Sequence, residues 1–309
     1  MIKLAVMGDS NFLGWTKGFE TRVLSGSNPN QSLIGKTTYI LNESRRIKNH
    51  AKWGDIVYCE FLSEIAIKAS KLSPKPVILR IHRAELDKPD RFERMNWDNV
   101  AMIIADSKHY ASLIRERVPN NIKIIDIPPG VEQDRWPYQP SNTKKICTWS
   151  MPVRRKRIYS LMLALAGHHT LYLGGVSAAD RINSAANERW NLGHILEPDV
   201  QFPQWQSDKE FYVHHALDEG LSVAIQEAML AGLIPVVHRI PMSLELVSED
   251  LTYIFDHELV DLLHNLKQMD PDERNIIKEK HRKYAEENLT NEMVHVRKKE
   301  VFEEYLSSQ

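Results

Sequence analysis

The sequence predicts an α/β protein of two doubly wound domains, each built on a parallel sheet. Three observations carry that expectation. Strand-like runs of β-branched and aliphatic residues alternate with helix-like runs almost from end to end. The alternation breaks at Pro137–Thr143, PYQPSNT, and then restarts. A chain of 309 residues is also long enough for two cores of ordinary size.

In the first half, strands are expected at Lys3–Met7, Ile56–Cys59, Val77–Ile81, Ala101–Ala105 and Ile122–Ile127, with helices such as Leu62–Leu72 and Lys108–Arg117 between them. In the second, strands are expected at Ile146–Trp149, Thr170–Leu173, Phe211–Val213, Ile234–Val237 and Thr252–Phe255. Helices fall near Arg157–Ala166, Ser222–Ala231 and Leu259–Met269. From Asp272 the chain is charged, helical and free of proline and glycine, able to cap the second sheet and cross back to the first.

Composition excludes several classes. No apolar run approaches the roughly 20 residues that cross a bilayer, and MIKLAVMGDS reads as a strand rather than a signal peptide, so a cytoplasmic protein is expected. Cys59 and Cys147 lie in separate strand-like runs, which favours buried free thiols over a disulfide. Residues 1–140 hold 21 Lys and Arg against 16 Asp and Glu, a net +5, and residues 141–309 hold 19 against 25, a net −6. A basic first half suits an anionic acceptor, a membrane surface or nucleic acid, and equally a solvated surface with a chance imbalance.

The segment HHALDEGLSVAIQEAMLAGLIPVV, residues 214–237, is the most informative. Gly220 frees the backbone, Ser222 is a candidate N-cap, residues 223–231 read as a helix, and Gly232 is a natural stop. A helix N-terminus favours phosphate, so an acid there is better explained as an acceptor for hydroxyls beside a phosphate. Glu219 fits that role, with Glu227 an acceptor for other hydroxyls. On spacing alone, two solvated glutamates flanking a core helix fit at least as well.

RRKR, Arg154–Arg157, opens a helix where basic residues are disfavoured, which suggests either a bound anion held by Lys156 and its neighbours or a solvated basic turn. His82 ends a parallel strand, where α/β sites place polar groups. Gly8, Gly14 and Gly18 follow the first strand but do not form G-x-G-x-x-G, leaving a loop near a ligand phosphate or a plain turn. The pairs His168/His169 and His214/His215 do not complete a metal ligand set, because neighbours in a strand face opposite ways. Neither a G-x-S-x-G elbow nor a P-loop is present.

These residues together resemble a known family. DEGLSVAIQEAMLAGLIPVV is similar to the E-x7-E segment of retaining GT-B glycosyltransferases, in particular the large group called family 4. ADSKHYASLIRERVPNNIKIIDIPPGVEQDRW resembles the segment closing that family's first domain, VILRIHRAE its His-bearing strand, and MPVRRKRIYSLMLALA its phosphate-binding lysine segment. The matches cover residues 77–240, about half of the chain. The resemblance implies two facing Rossmann-like domains with a cleft between them: residues 1–140 on the acceptor side, 141–285 binding the nucleotide sugar, and 286–309 a C-terminal helix packing back on the first.

It further implies roles. His82, Glu219 and Lys156 would form the catalytic set; Arg154, Arg155, Gly220, Leu221, Ser222, Glu227 and Gly14 would bind the donor. The expected reaction moves a hexose from a nucleotide diphosphate, a UDP-sugar ahead of a GDP-sugar, with retention and with neither metal nor cofactor. The acceptor would be a cell-surface glycan or lipid intermediate, with peripheral membrane contact open to it. Alternative readings are an enzyme that glycosylates hydroxymethylated bases in DNA, and a non-catalytic GT-B-like protein. Departures are plain: Met151 stands where the family often has Arg, GWTKG replaces a glycine pair, and HRIPMSLELV lacks the usual glycine-rich turn.

Overall fold

The computed structural model describes residues 1–8, 14–24, 33–150, 153–174, 195–197 and 200–309, with side chains of 33–42 and 195–197 outside the description. The chain divides into two compact units, Met1–Pro129 with Val294–Gln309, and Gly130–Met293. Segment 137–143 lies inside the second unit, where the Gln139 N–H donates to the Ala231 carbonyl at 3.2 Å.

The first unit holds β1 (Lys3–Met7), β2 (Glu20–Leu24), α1 (Leu33–Trp53), β3 (Ile56–Glu60), α2 (Glu64–Leu72), β4 (Val77–Ile81), α3 (Pro89–Arg94), β5 (Val100–Ala105), α4 (Lys108–Arg115) and β6 (Lys123–Asp126). Its strands form one parallel sheet, ordered β2-β1-β3-β4-β5-β6. Strand parity builds two cores on its faces. Val57, Cys59, Leu79 and Ile103 pack with α1, α2 and α4, while Leu4, Val6, Tyr58 and Ile104 pack with Trp15, Val294 and Phe302.

The second unit holds β7 (Ile146–Trp149), α5 (Ile158–Leu165), β8 (Leu171–Gly174), β9 (Ile195–Glu197), β10 (Phe211–His214), α6 (Val223–Ala231), β11 (Ile234–His238), β12 (Thr252–Tyr253), α7 (Asp256–Gln268) and α8 (Pro271–Asn288). Helix α9 (Asn291–Ser307) follows, and from Val294 belongs to the first unit. The second sheet is parallel and ordered β12-β11-β10-β7-β8-β9. Its order reverses between β7 and β10, the switch point where open α/β sheets bind ligands beyond the strand ends.

Two expectations change. The sequence reading placed no element on β2, α1 or β9. Helix α6 spans Val223–Ala231 as expected, with Glu219 in the loop before it. Ser222 occupies the N-cap position but makes no capping hydrogen bond. Gly232 does end α6, with φ of 86° and a Cβ position that would stand 2.6 Å from the Tyr138 ring.

Candidate functional site

In the second unit the loops after β7 and β10 meet at the switch point. Residues Arg154–Lys156 form a 3-10 turn, and the Leu217 N–H donates to the Arg155 carbonyl at 2.9 Å, tying the two loops together. Arg157 closes the turn with φ of 51°, and its guanidinium donates to Ser160 Oγ at 3.1 Å.

The turn aims two cations at one acid. Arg155 Nη1 lies 2.7 Å from Glu219 Oε1, and Lys156 Nζ contacts the same oxygen. Arg155 also donates to the Asp218 carbonyl at 3.3 Å. Burial, and after it the neighbouring Arg155, pushes the Lys156 ammonium down to about 7; the Glu219 carboxylate against it pulls the other way. Leu221 and Ser222 are buried behind Gly220, while Arg154 is exposed, its carbonyl accepting from the Arg157 N–H at 3.2 Å. The anion that the basic turn called for is, in this structure, the side chain of Glu219.

Glu227, half-buried on α6, accepts from Trp149 Nε1 at 3.0 Å. Burial raises its carboxyl to about 7 against the pull of Trp149 and Arg135. Trp149 stacks on Trp136 with ring centroids 5.7 Å apart and packs on Tyr212 at 4.2 Å. An aromatic wall therefore backs the acid. Trp149 went unnoticed in the sequence, although its place at the end of β7 was the available signal.

The adjacent histidines divide between faces, as strand geometry requires. His214 Nε2 lies 3.0 Å from Ser222 Oγ and 3.7 Å from Glu219 Oε1. His215 Nδ1 lies 2.6 Å from the Tyr253 hydroxyl on the other side. Burial, with Lys156 and Arg155, holds His214 well below the ordinary imidazole value, so it is neutral.

In the first unit a second polar cluster surrounds His82. His82 Nε2 lies 2.7 Å from Glu60 Oε1, and Nδ1 lies 3.1 Å from Asp106 Oδ2. Arg80 Nη2 donates to Asp106 at 2.7 Å and to the Ile127 carbonyl at 3.1 Å. Tyr58 donates to Glu60 at 2.7 Å, and Lys298 donates to the Tyr58 hydroxyl at 3.0 Å. Burial opposes charge on His82, but Asp106 and Glu60 outweigh it and raise the imidazolium to about 9. Both nitrogens then donate, so His82 offers positive charge and no basic lone pair. Phe61, at φ of 71°, packs against the ring at 4.3 Å with the planes tilted by 34°. Gly14 is exposed at the start of a 3-10 turn whose Trp15 is buried in the core.

Met151 lies outside the described residues. Among the described residues no three His, Cys, Asp or Glu side chains are grouped to hold a metal, and no helix is long and apolar enough to cross a membrane. Cys59 and Cys147 are free and buried.

No family model matches the sequence, and no curated protein matches it. Solved structures do. HepE of Anabaena, in complex with UDP-glucose, superposes with a TM-score of 0.77 at 15% identity, covering 100% of both chains. Sucrose-phosphate synthase from Thermosynechococcus elongatus gives a TM-score of 0.77 at 12% identity, again over 100% of both. A glycosyltransferase from Rickettsia africae gives 0.70 at 13% identity, over 98% of this chain and 90% of that one. The architecture of this chain is therefore the GT-B fold of glycosyltransferases.

Proposed function

We propose that the protein is a retaining, metal-independent glycosyltransferase that moves a hexose from a UDP-sugar to the hydroxyl of a glycan or lipid acceptor. One arrangement carries the reading. At the switch point of the second sheet, Lys156 and Arg155 converge on Glu219 beside the N-terminus of α6. A diphosphate entering there would meet two cations and free helix amides. Released from its ion pairs, Glu219 would accept hydroxyls of the sugar, and Glu227, backed by Trp149, would accept those of the ribose. The solved complexes of HepE with UDP and UDP-glucose support the donor class.

Positioning and charge stabilisation then do the catalytic work. Lys156 and Arg155 offset charge as it grows on the leaving diphosphate, which favours cleavage at the anomeric carbon. Attack by the acceptor from the face that the diphosphate leaves retains configuration, and a diphosphate oxygen takes the acceptor proton. The imidazolium of His82 serves as charge rather than as base.

Thermal unfolding with UDP, GDP, ADP and their sugar conjugates, in chelator, tests the donor: a ligand at about 100 times its dissociation constant adds about 2.7 kcal/mol. A shift selective for UDP species is expected, and equal shifts with all three bases would remove the UDP assignment. Product analysis by NMR should show the donor's anomeric configuration; inversion would refute retention.

A further inference from the structure

Ser222 stands where a serine ordinarily caps a helix, yet its hydroxyl does not cap α6. It faces His214 Nε2 at 3.0 Å instead. His214 is 2% exposed, and its Nδ1 has no hydrogen-bond partner among the described residues. One hydrogen lies between Oγ and Nε2, so the contact has two forms. If Ser222 donates, the single N–H of a neutral ring sits on Nδ1, buried without an acceptor. If Nε2–H donates, the ring keeps only an unpaired lone pair on Nδ1 and the serine O–H becomes the group that awaits an acceptor; the Glu219 carboxylate, an acceptor 3.7 Å from the same Nε2, favours this form.

We infer that His214 is a positioning residue that donates from Nε2 to Ser222, turning the serine hydroxyl away from helix capping and into a donor for a phosphate oxygen at the mouth of α6. The serine oxygen is satisfied by the imidazole, so its own O–H is free to donate. Ser222 also leaves the first amides of α6 uncapped. Together with Lys156, these groups make a site for a diphosphate. The inference deepens the donor reading above and rests on it for the identity of the nucleotide, though not for the anion. Strong burial of His214, with Arg155 and Lys156 near it, keeps the ring neutral and the single-proton argument intact.

Calorimetric titration of the full chain with inorganic pyrophosphate, UDP and uridine tests this. Ser222→Ala and His214→Leu should each weaken pyrophosphate and UDP about tenfold, the equivalent of about 1.4 kcal/mol, and the double variant no more than either single one. Uridine binding should not move. His214→Gln, whose amide N–H can stand in for Nε2–H, should restore affinity to within about twofold. Multiplying losses, or a Ser222→Ala affinity for pyrophosphate and UDP within twofold of wild type, would overturn the proposal. On the unaltered protein, nitrogen-15 NMR should find the His214 proton on Nε2; a proton on Nδ1 sinks the idea whether or not the variants fold. Binding of pyrophosphate without UDP would defeat the donor reading and leave the His214–Ser222 pair standing, whereas binding of neither would end both.

Discussion

The imidazole of His82 is held at both nitrogens by carboxylates, and that contact sets a pH window. Its folded value of about 9 lies above the ordinary 6.5, so its contribution to stability is fully present below 6.5 and is lost as pH rises through 9. His82→Leu leaves Glu60 and Asp106 short of one buried partner and should cost about 3–5 kcal/mol at pH 6. Denaturant melts of both proteins should converge towards pH 9.5; a constant gap would show that His82 acts through packing. Lys156 gives a second residue-scale prediction. Its value of about 7 should rise when a diphosphate arrives, so UDP binding near neutral pH should take up protons. Calorimetry in buffers of different ionisation enthalpy reads that uptake directly. Lys156→Ala should bind UDP about 10–100-fold more weakly, the scale of a charged hydrogen bond of about 1.5–3 kcal/mol.

At the scale of the element, buried ionic contacts pin α8. Glu210, fully buried just before β10, accepts from Arg274 Nε at 2.8 Å and from Lys278 Nζ at 2.8 Å. Lys278 also donates to the Ser141 carbonyl at 2.6 Å, fastening segment 137–143 to the same helix. Glu210→Ala strands two buried cations and should cost the second unit about 3–5 kcal/mol, measured by urea unfolding. How far these elements were legible depended on what each one buries. Strands β1, β4 and β7 have the predicted bounds because nearly every residue in them is buried, and their apolar runs say so. Strand β2 is an edge strand with Arg22 and Val23 exposed, and that mixture carries no period-2 signal. In α1 Ile47 and Ala51 give the described half only a narrow apolar stripe, too thin to stand out against its charges. The helix mouth at Glu219 was visible through Gly220 and Gly232. The partners of Ser222 and Glu227 were not: Trp149 reaches Glu227 from a strand 78 residues away, and His214, only eight residues before Ser222, meets it through the fold of the loop between them.

At the scale of the molecule, the chain does not finish one unit before beginning the next. The second unit is continuous from Gly130 to Met293, whereas the first needs the C-terminal segment Val294–Gln309. The need is physical: Val294 and Phe302 are fully buried with Leu4, Val6, Tyr58 and Ile104, and Phe302 meets the rings of Trp15 and Tyr58 edge-on at 6.2 and 6.1 Å. Residues Val294 and Phe302 therefore complete a core that β1, β3 and β5 begin. Two units whose cores share no residue need not melt as one transition. Phe302→Ala removes a large buried ring and should cost about 3–5 kcal/mol, charged to the first unit. Hydrogen exchange should then show faster opening for amides of β1, β3, β4 and β5, with those of β7, β10 and β11 unchanged. Raising the pH from 6.5 to 9 should loosen the same strands first, since His82 and its carboxylates lie at the ends of β3, β4 and β5. Equal acceleration in both sets of strands, in the variant or in alkali, would mean that the two units unfold as a single cooperative body and that the C-terminal segment couples them rather than serving the first alone.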